Sequence, residues 1–368
     1  MKKLAFAVLA TALFISSCKK KEDNMHMGED HTNLPVAVTT NINYPAAYVV
    51  NGESNTILVI RLSDNTVTET IKLGEMSSHD AHSGSMSSGI SWPHHIYLNP
   101  SKTHLAIGVP GMDLSAGHGG SMMGMAGKIA VVNAMNGTIS KIVELPVSNH
   151  NAVFSPNGTE IWTTQMMAMG TVLVYDATTY ALKKTIDVKM DPAEVTFSSD
   201  GTMAFVANGG SDTVTVINVS DKMVMGQVAV GDDPVGAWTG ADGNMYVDNE
   251  AGKSITVIKV SDMSVVATIS LGFMPGFAAY NNAMSELWVT DPDNGKVHWY
   301  TKSGTTYTHG GELATGAGAH AIAFSSDEMT AYITNQAASS VSVVDVMNHS
   351  ESKEITVGTK PNGIVIKN

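Results

Sequence analysis

Cysteine is nearly absent, Cys18 being the only one in the chain. That excludes a disulfide within the chain, a four-cysteine zinc site, a CxxCH haem attachment, a blue-copper thiolate and a cysteine nucleophile. Positive charge is scarce as well: 21 Lys and Arg stand against 34 Asp and Glu, a formal net charge of -13. Such a surface repels a phosphate backbone, so nucleic acid is excluded as a partner. The apolar run from Leu4 to Ile15 is too short to span a bilayer. What is present is a 43% share of hydrophobic residues, enough to bury a large core in one domain or several.

The short apolar run follows Lys2 and Lys3 and ends at Ser16 and Ser17, which is the form of a secretory signal over residues 1–17. Ile15-Ser16-Ser17-Cys18 resembles the bacterial lipobox. The resemblance implies cleavage before Cys18 and lipidation of that residue, so the membrane becomes a partner through a lipid anchor. Residues 18–43 begin with Lys19, Lys20 and Lys21 and stay polar, as a flexible tether would. The folded part is expected over 44–368. The cell envelope is the expected location, and Lys19 beside the lipid points by analogy to the outer membrane.

Self-similarity organises the rest of the chain. Segments starting at Thr56, Lys128, Thr171, Thr213, Ser254, Lys296 and Ser340 repeat one pattern, of which Thr213-Val214-Thr215-Val216-Ile217 is an example. Their apolar residues alternate as a half-buried strand requires. The starts are 72, 43, 42, 41, 42 and 44 residues apart, so only the first gap is irregular. Each copy follows a strand such as Phe205-Val206-Ala207-Asn208 or Tyr332-Ile333-Thr334-Asn335, and each precedes a fourth strand ending near a glycine such as Gly272 or Gly358. Pro192, Pro234, Pro275 and Pro361 separate units, and turns such as Ser155-Pro156-Asn157-Gly158 follow.

These units resemble the YVTN repeat family, and a four-stranded unit of this length fits a propeller blade. The first unit starts at Ala46 without an innermost strand, whereas Asn362 to Ile366 is an innermost strand with nothing after it. The expected fold is therefore an all-β, seven-bladed propeller of four-stranded antiparallel blades, closed by the C-terminal strand completing the first blade.

Two insertions, at 74–92 and 109–127, account for the long first gap. The first carries His79 and His82, and the second carries His118, Met122, Met123 and Met125. The corresponding loop of the third unit adds Met166, Met167 and Met169. Propeller geometry puts these loops over one sector of one channel mouth. Residues two apart in an extended loop point the same way, so Met123 with Met125, and Met167 with Met169, can present two thioethers to one ion. Thioethers suit Cu(I), and imidazole serves either copper oxidation state.

Aligning the innermost strands places His94, His150 and His320 in one column and His95 and Glu194 in the next. Side chains from different blades converge there, as a site on the axis requires. A histidine ring at a channel mouth is distantly similar to the nitrous oxide reductase propeller, but no cupredoxin domain is present and the column holds too few histidines to imply reductase activity. The expected function is an envelope lipoprotein that binds and handles copper, with a metal ion and an envelope protein as partners. A recognition scaffold for proteins or cell-surface polymers is the alternative. A propeller enzyme, lactonase-like or quinoprotein-like, is a second: no nucleophile and base are paired in the sequence, although Glu194 with His95 or His150 could serve as acid and base.

Overall fold

The second strands carry buried residues on both faces, as in Glu160–Gln165 and Asn244–Asn249, and a ring of neighbouring blades covers both. In the computed structural model, which describes residues 41–74, 89–115 and 125–368, the strands form seven four-stranded antiparallel sheets. Blades 2 to 7 take their strands consecutively from residues 96–144, 152–187, 192–229, 234–270, 278–314 and 319–356. Inner strands are buried, as in Pro192–Phe197, whereas the outer strand Leu182–Asp187 leaves all but Ile186 exposed. Adjacent blades share apolar clusters, one joining Trp162, Val172 and Val174 of blade 3 to Val195, Ala204 and Val206 of blade 4. Each such side chain is worth about 1.5–3 kcal/mol on burial, so the blades stabilise one another.

The repeated asparagine at the end of the second strand has a local cause. In blade 4 the Asn208 amide donates to the carbonyls of Val206 (3.1 Å) and Thr213 (3.0 Å), and in blade 5 Asn249 does the same to Val247 and Ser254. The side chain ties off the hairpin between second and third strands, satisfying carbonyls that a turn would leave bare.

Blade 1 is composite, with sheet order Pro361–Lys367, Ala46–Asn51, Thr56–Arg61, Thr66–Lys72. The closing strand pairs Ala47 with Ile366 and Val49 with Ile364. At its end the Lys367 ammonium donates to the carbonyl of Ile42, a residue that is itself fully buried. Gly363 lies where a methyl group would come within 2.9 Å of the His94 carbonyl and 3.0 Å of the His95 Cα. Glycine is what lets the closing strand run against the entry to blade 2, where the site begins.

Candidate metal centre

Each inner strand enters the channel at its first residues, so side chains there meet across blades. His94 and His95 immediately precede the inner strand Ile96–Leu98, and His150 lies just before Ala152–Phe154. Glu194 is the third residue of Pro192–Phe197, and His320 the second of Ala319–Phe324. The structure brings all five together. Ring centroids of His94 lie 4.5, 4.4 and 5.6 Å from those of His95, His150 and His320. His94, His95 and His150 are at most 3% exposed, Glu194 is fully buried, and His320 is half-buried.

Hydrogen bonds orient these rings. Glu194 Oε1 lies 3.0 Å from His150 Nδ1 and 3.2 Å from His95 Nε2, while the Tyr97 hydroxyl donates to Oε2 at 3.2 Å. Burial pushes the Glu194 carboxyl well above its usual range, and the Tyr97 bond pulls the other way. His320 Nδ1 is 2.8 Å from the Asn362 carbonyl, which can only accept. Nδ1 therefore carries the hydrogen, and the lone pair of the neutral ring sits on Nε2. Two sets of ligand atoms lie within 4.8 Å of one another: one from His94, His95 and His320, the other from His95, His150 and Glu194. Because His95 belongs to both, a carboxylate that holds two imidazoles stands directly beside a three-imidazole set, an arrangement that fixes the orientation and basicity of ligands in metal sites.

The cluster opens onto a cavity of about 180 Å³, lined also by Trp238, Met274, Pro292, Glu250, Asp293 and Gln336. Trp238 packs on Phe277 with ring centroids 3.7 Å apart and lies 5.8 Å from His95. Its indole N–H donates to Asp248 Oδ1 at 3.0 Å. Asp248 is fully buried, and desolvation, reinforced by the Glu250 charge, pushes its carboxyl well up.

Tyr97, Trp238 and Asp248 escape a reading based on the entry column alone. Asp248 did leave a trace. Val50, Thr164, Ala207, Thr290 and Thr334 stand at the equivalent point of other second strands, and a carboxylate among small uncharged residues marks a departure from the repeat. Tyr97 and Trp238 sit three residues beyond the column positions His94 and Val235.

The loop residues have mixed placements. Cys18, His79, His82, His118, Met122 and Met123 lie outside the described residues. Met125 and Met169 are exposed, at 40% and 81%, and Met167 is half-buried. Met166 differs from the expectation of a loop thioether presented to solvent. It is 2% exposed and packs against Leu114 and Met112, because its backbone N–H is tied to the Ser148 carbonyl at 3.0 Å and holds the residue under the loop. His298 is also buried in its strand, stacked on Phe273 and 3.2 Å from His309, away from the channel cluster.

No family model matches the chain, and no curated protein sequence matches it, so membership of the YVTN family is not established. Solved structures do match. A periplasmic gluconolactonase of Pseudomonas aeruginosa is similar at 14% identity and TM-score 0.68, covering 88% of this chain and 99% of the other. A structure described as a putative 6-phosphogluconolactonase from Bacteroides fragilis matches at 13% identity and TM-score 0.68 over 89% and 99%. Hydrazine synthase of Kuenenia stuttgartiensis matches at 15% identity and TM-score 0.60 over 79% and 92%. At these identities the likeness is one of fold: the chain is a seven-bladed β-propeller, and its chemistry has to be argued from its own residues.

Proposed function

We propose that the chain binds a transition-metal ion at its channel mouth, held by His94, His95 and His320, and that copper is the ion it handles in the cell envelope. The observation that carries the reading is the convergence of three imidazoles within 4.8 Å, backed by Glu194 and His150. A fully buried carboxylate between imidazoles costs several kcal/mol of desolvation unless something there uses it. Borderline nitrogen donors suit copper, zinc or nickel. The exposed thioethers of Met125 and Met169, with Met122 and Met123 in the same insertion as Met125, favour copper among these because thioethers are soft donors suited to Cu(I). A bound copper ion would supply a redox or Lewis-acid centre. The chain's residues hold and orient it: Glu194 fixes His95 and His150, and the Asn362 carbonyl fixes His320.

The test is metal content of the purified protein followed by titration with Cu(II), Cu(I) and Zn(II). One equivalent of tightly held copper in the parent, lost in the His94→Ala/His95→Ala/His320→Ala variant, is the expected result. Equal copper binding by parent and variant would remove the basis of the reading.

A second reading is favoured by the Glu194 to His150 and His95 contacts together with the lactonase names of two structural neighbours. Glu194 and a buried imidazole can act as an acid and base pair on a lactone carbonyl. Release of acid from a δ-lactone by the parent, abolished by Glu194→Gln and unchanged by a chelator, would favour this reading over copper handling.

A further inference from the structure

Blade 6 departs from the repeat at three neighbouring positions. In blades 4, 5 and 7 the asparagine that ends the second strand also donates to the hydroxyl of the third residue of the third strand: Asn208 to Thr215 at 3.0 Å, Asn249 to Thr256 at 3.1 Å and Asn335 to Ser342 at 3.0 Å. Blade 6 has Asp291 and His298 at the same two places. A carboxylate cannot donate, and both Asp291 oxygens accept from the Asn294 amide, at 3.1 and 2.8 Å. The third change is on the outer strand, where His309 opposes Tyr300 and blades 4 and 5 have Val224 and Val265. A neutral pair in three blades has become a row of titratable groups in this one.

The row is continuous. His298, 7% exposed, has Nε2 at 3.5 Å from Asp291 Oδ2. Its Nδ1 lies 3.2 Å from His309 Nε2 and 3.7 Å from Glu312 Oε2, and Lys296 holds the other Glu312 oxygen at 2.6 Å. Phe273 stacks on the His298 ring with centroids 4.3 Å apart. The Tyr300 ring stands 5.3 Å from that of His309, and burial together with the Asp291 charge pushes its hydroxyl up to about 12, so it stays protonated. Within the imidazole pair one ring donates and the other accepts. That bond survives one added proton and not two, because two imidazolium rings are donors only and repel. Burial holds the His298 imidazole below its usual value, the Asp291 and Glu312 charges pull it up, and His309 adds to the lowering.

These groups sit at the base of a long hairpin, Lys296–Ser303 with Thr306–Ala314. Its far end is tied to blade 5, where the Tyr307 and Tyr246 hydroxyls are 3.1 Å apart and the Lys302 ammonium donates to Asp242. Between the hairpin and the outer strand of blade 5 runs a groove lined by Val266, Thr268, Ser270, Tyr307 and His309.

We propose that the His298–His309 pair, seated on Asp291, is an acid-sensitive latch: when neutral it fastens the base of this hairpin, and in acid it lets go and loosens that wall of the groove. Nothing in the inference depends on copper. A buried imidazole that stays neutral while the hairpin is closed, and charges once it opens, favours opening as pH falls below about 6.5. For one such group the opening equilibrium rises by at most about 25-fold between pH 7 and pH 5.

Amide hydrogen exchange of the full-length protein at pH 7 and pH 5, corrected for intrinsic rates, reads the latch. Opening at residues 306–314 is expected to rise about fivefold or more on acidification, within the ceiling of about 25-fold. The outer strand of blade 4, Val224–Ala229, has no titratable residue and is expected to change by less than about twofold. Asp291→Asn/His298→Thr rebuilds the pair seen in blades 4 and 5, and should bring 306–314 down to the response of 224–229. His298→Gln is the second variant, with melting curves to check the fold of both: it keeps a hydrogen-bonding group but takes up no proton. A role in packing alone would lower its protection equally at both pH values, whereas a latch loses its acid response. A parent in which 306–314 responds no more than 224–229, or a folded variant that keeps the parent's acid response, would overturn the proposal.

Discussion

Removing the closing strand is the sharpest perturbation of the fold. Deleting residues 361–368 takes away the partner of Ala46–Asn51, a ladder of six residue pairs from Ala46 with Lys367 to Asn51 with Pro361. At about 1 kcal/mol net for each hydrogen bond, a ladder of this length contributes on the order of 5 kcal/mol. Ile364 is buried at 8% exposure, and Ile366 packs against the same cluster as Ala47, Val341 and Val343. Their loss adds about 1.5–3 kcal/mol each. The sum is on the order of 8–11 kcal/mol, comparable with the whole stability of an ordinary domain. The truncated chain should therefore be unfolded or aggregated through its bare edges. The single change Ile364→Ala, at about 2–4 kcal/mol, gives a graded version in which folding survives. Thermal unfolding followed by circular dichroism, with size-exclusion chromatography, is the assay. A monomeric truncation melting within a few degrees of the parent would refute the reasoning, because closure would then contribute nothing.

Tyr97→Phe removes the hydroxyl bonded to Glu194 and should weaken metal binding by about 10-fold or more with little change in melting temperature; unchanged affinity in a titration would show that Tyr97 does not position the carboxylate. Changing Met122, Met123, Met125, Met167 and Met169 to Leu should weaken Cu(I) binding and spare Cu(II) binding, and equal Cu(I) affinity in a competition titration would remove the thioethers from the account. Asp248 has a pH signature. Its carboxyl is raised by burial, so the folded state keeps that proton to higher pH than the unfolded chain, and the associated stability is full below about pH 4 and is lost as pH rises through the folded-state value. Asp248→Asn escapes the loss, so its stability relative to the parent should improve between pH 4 and pH 8, with a slope of at most about 1.4 kcal/mol per pH unit; denaturant unfolding at the two values checks this, and a difference that does not grow would contradict it.

The blades were legible because one strand pattern recurs at a nearly constant spacing, and closure was legible because Ala46 opens a unit lacking what Asn362 to Ile366 supplies. The five converging donors were legible for the same reason: register within a repeat is a spatial coordinate once the ring is closed. What the repeat could not show are contacts between unlike positions. Trp238 reaches His95 because Gly236 lets its ring fold back and Asp248 holds it there, and none of the three is a periodic residue. Met166 reads as a loop residue by its neighbours Met167 and Met169, but a single backbone bond to Ser148 turns it inward. Side-chain direction in a loop follows from such individual bonds, which alternation does not encode.

Crystals of the full chain soaked in Cu(II) and measured on both sides of the copper absorption edge would test the metal centre most directly. The expected result is one anomalous peak at the channel mouth, about 2 Å from a ring nitrogen of each of His94, His95 and His320, with Glu194 still bridging His95 and His150 behind it. A peak on the methionine loops alone, or at His298 and His309, or no peak at all, would contradict the account.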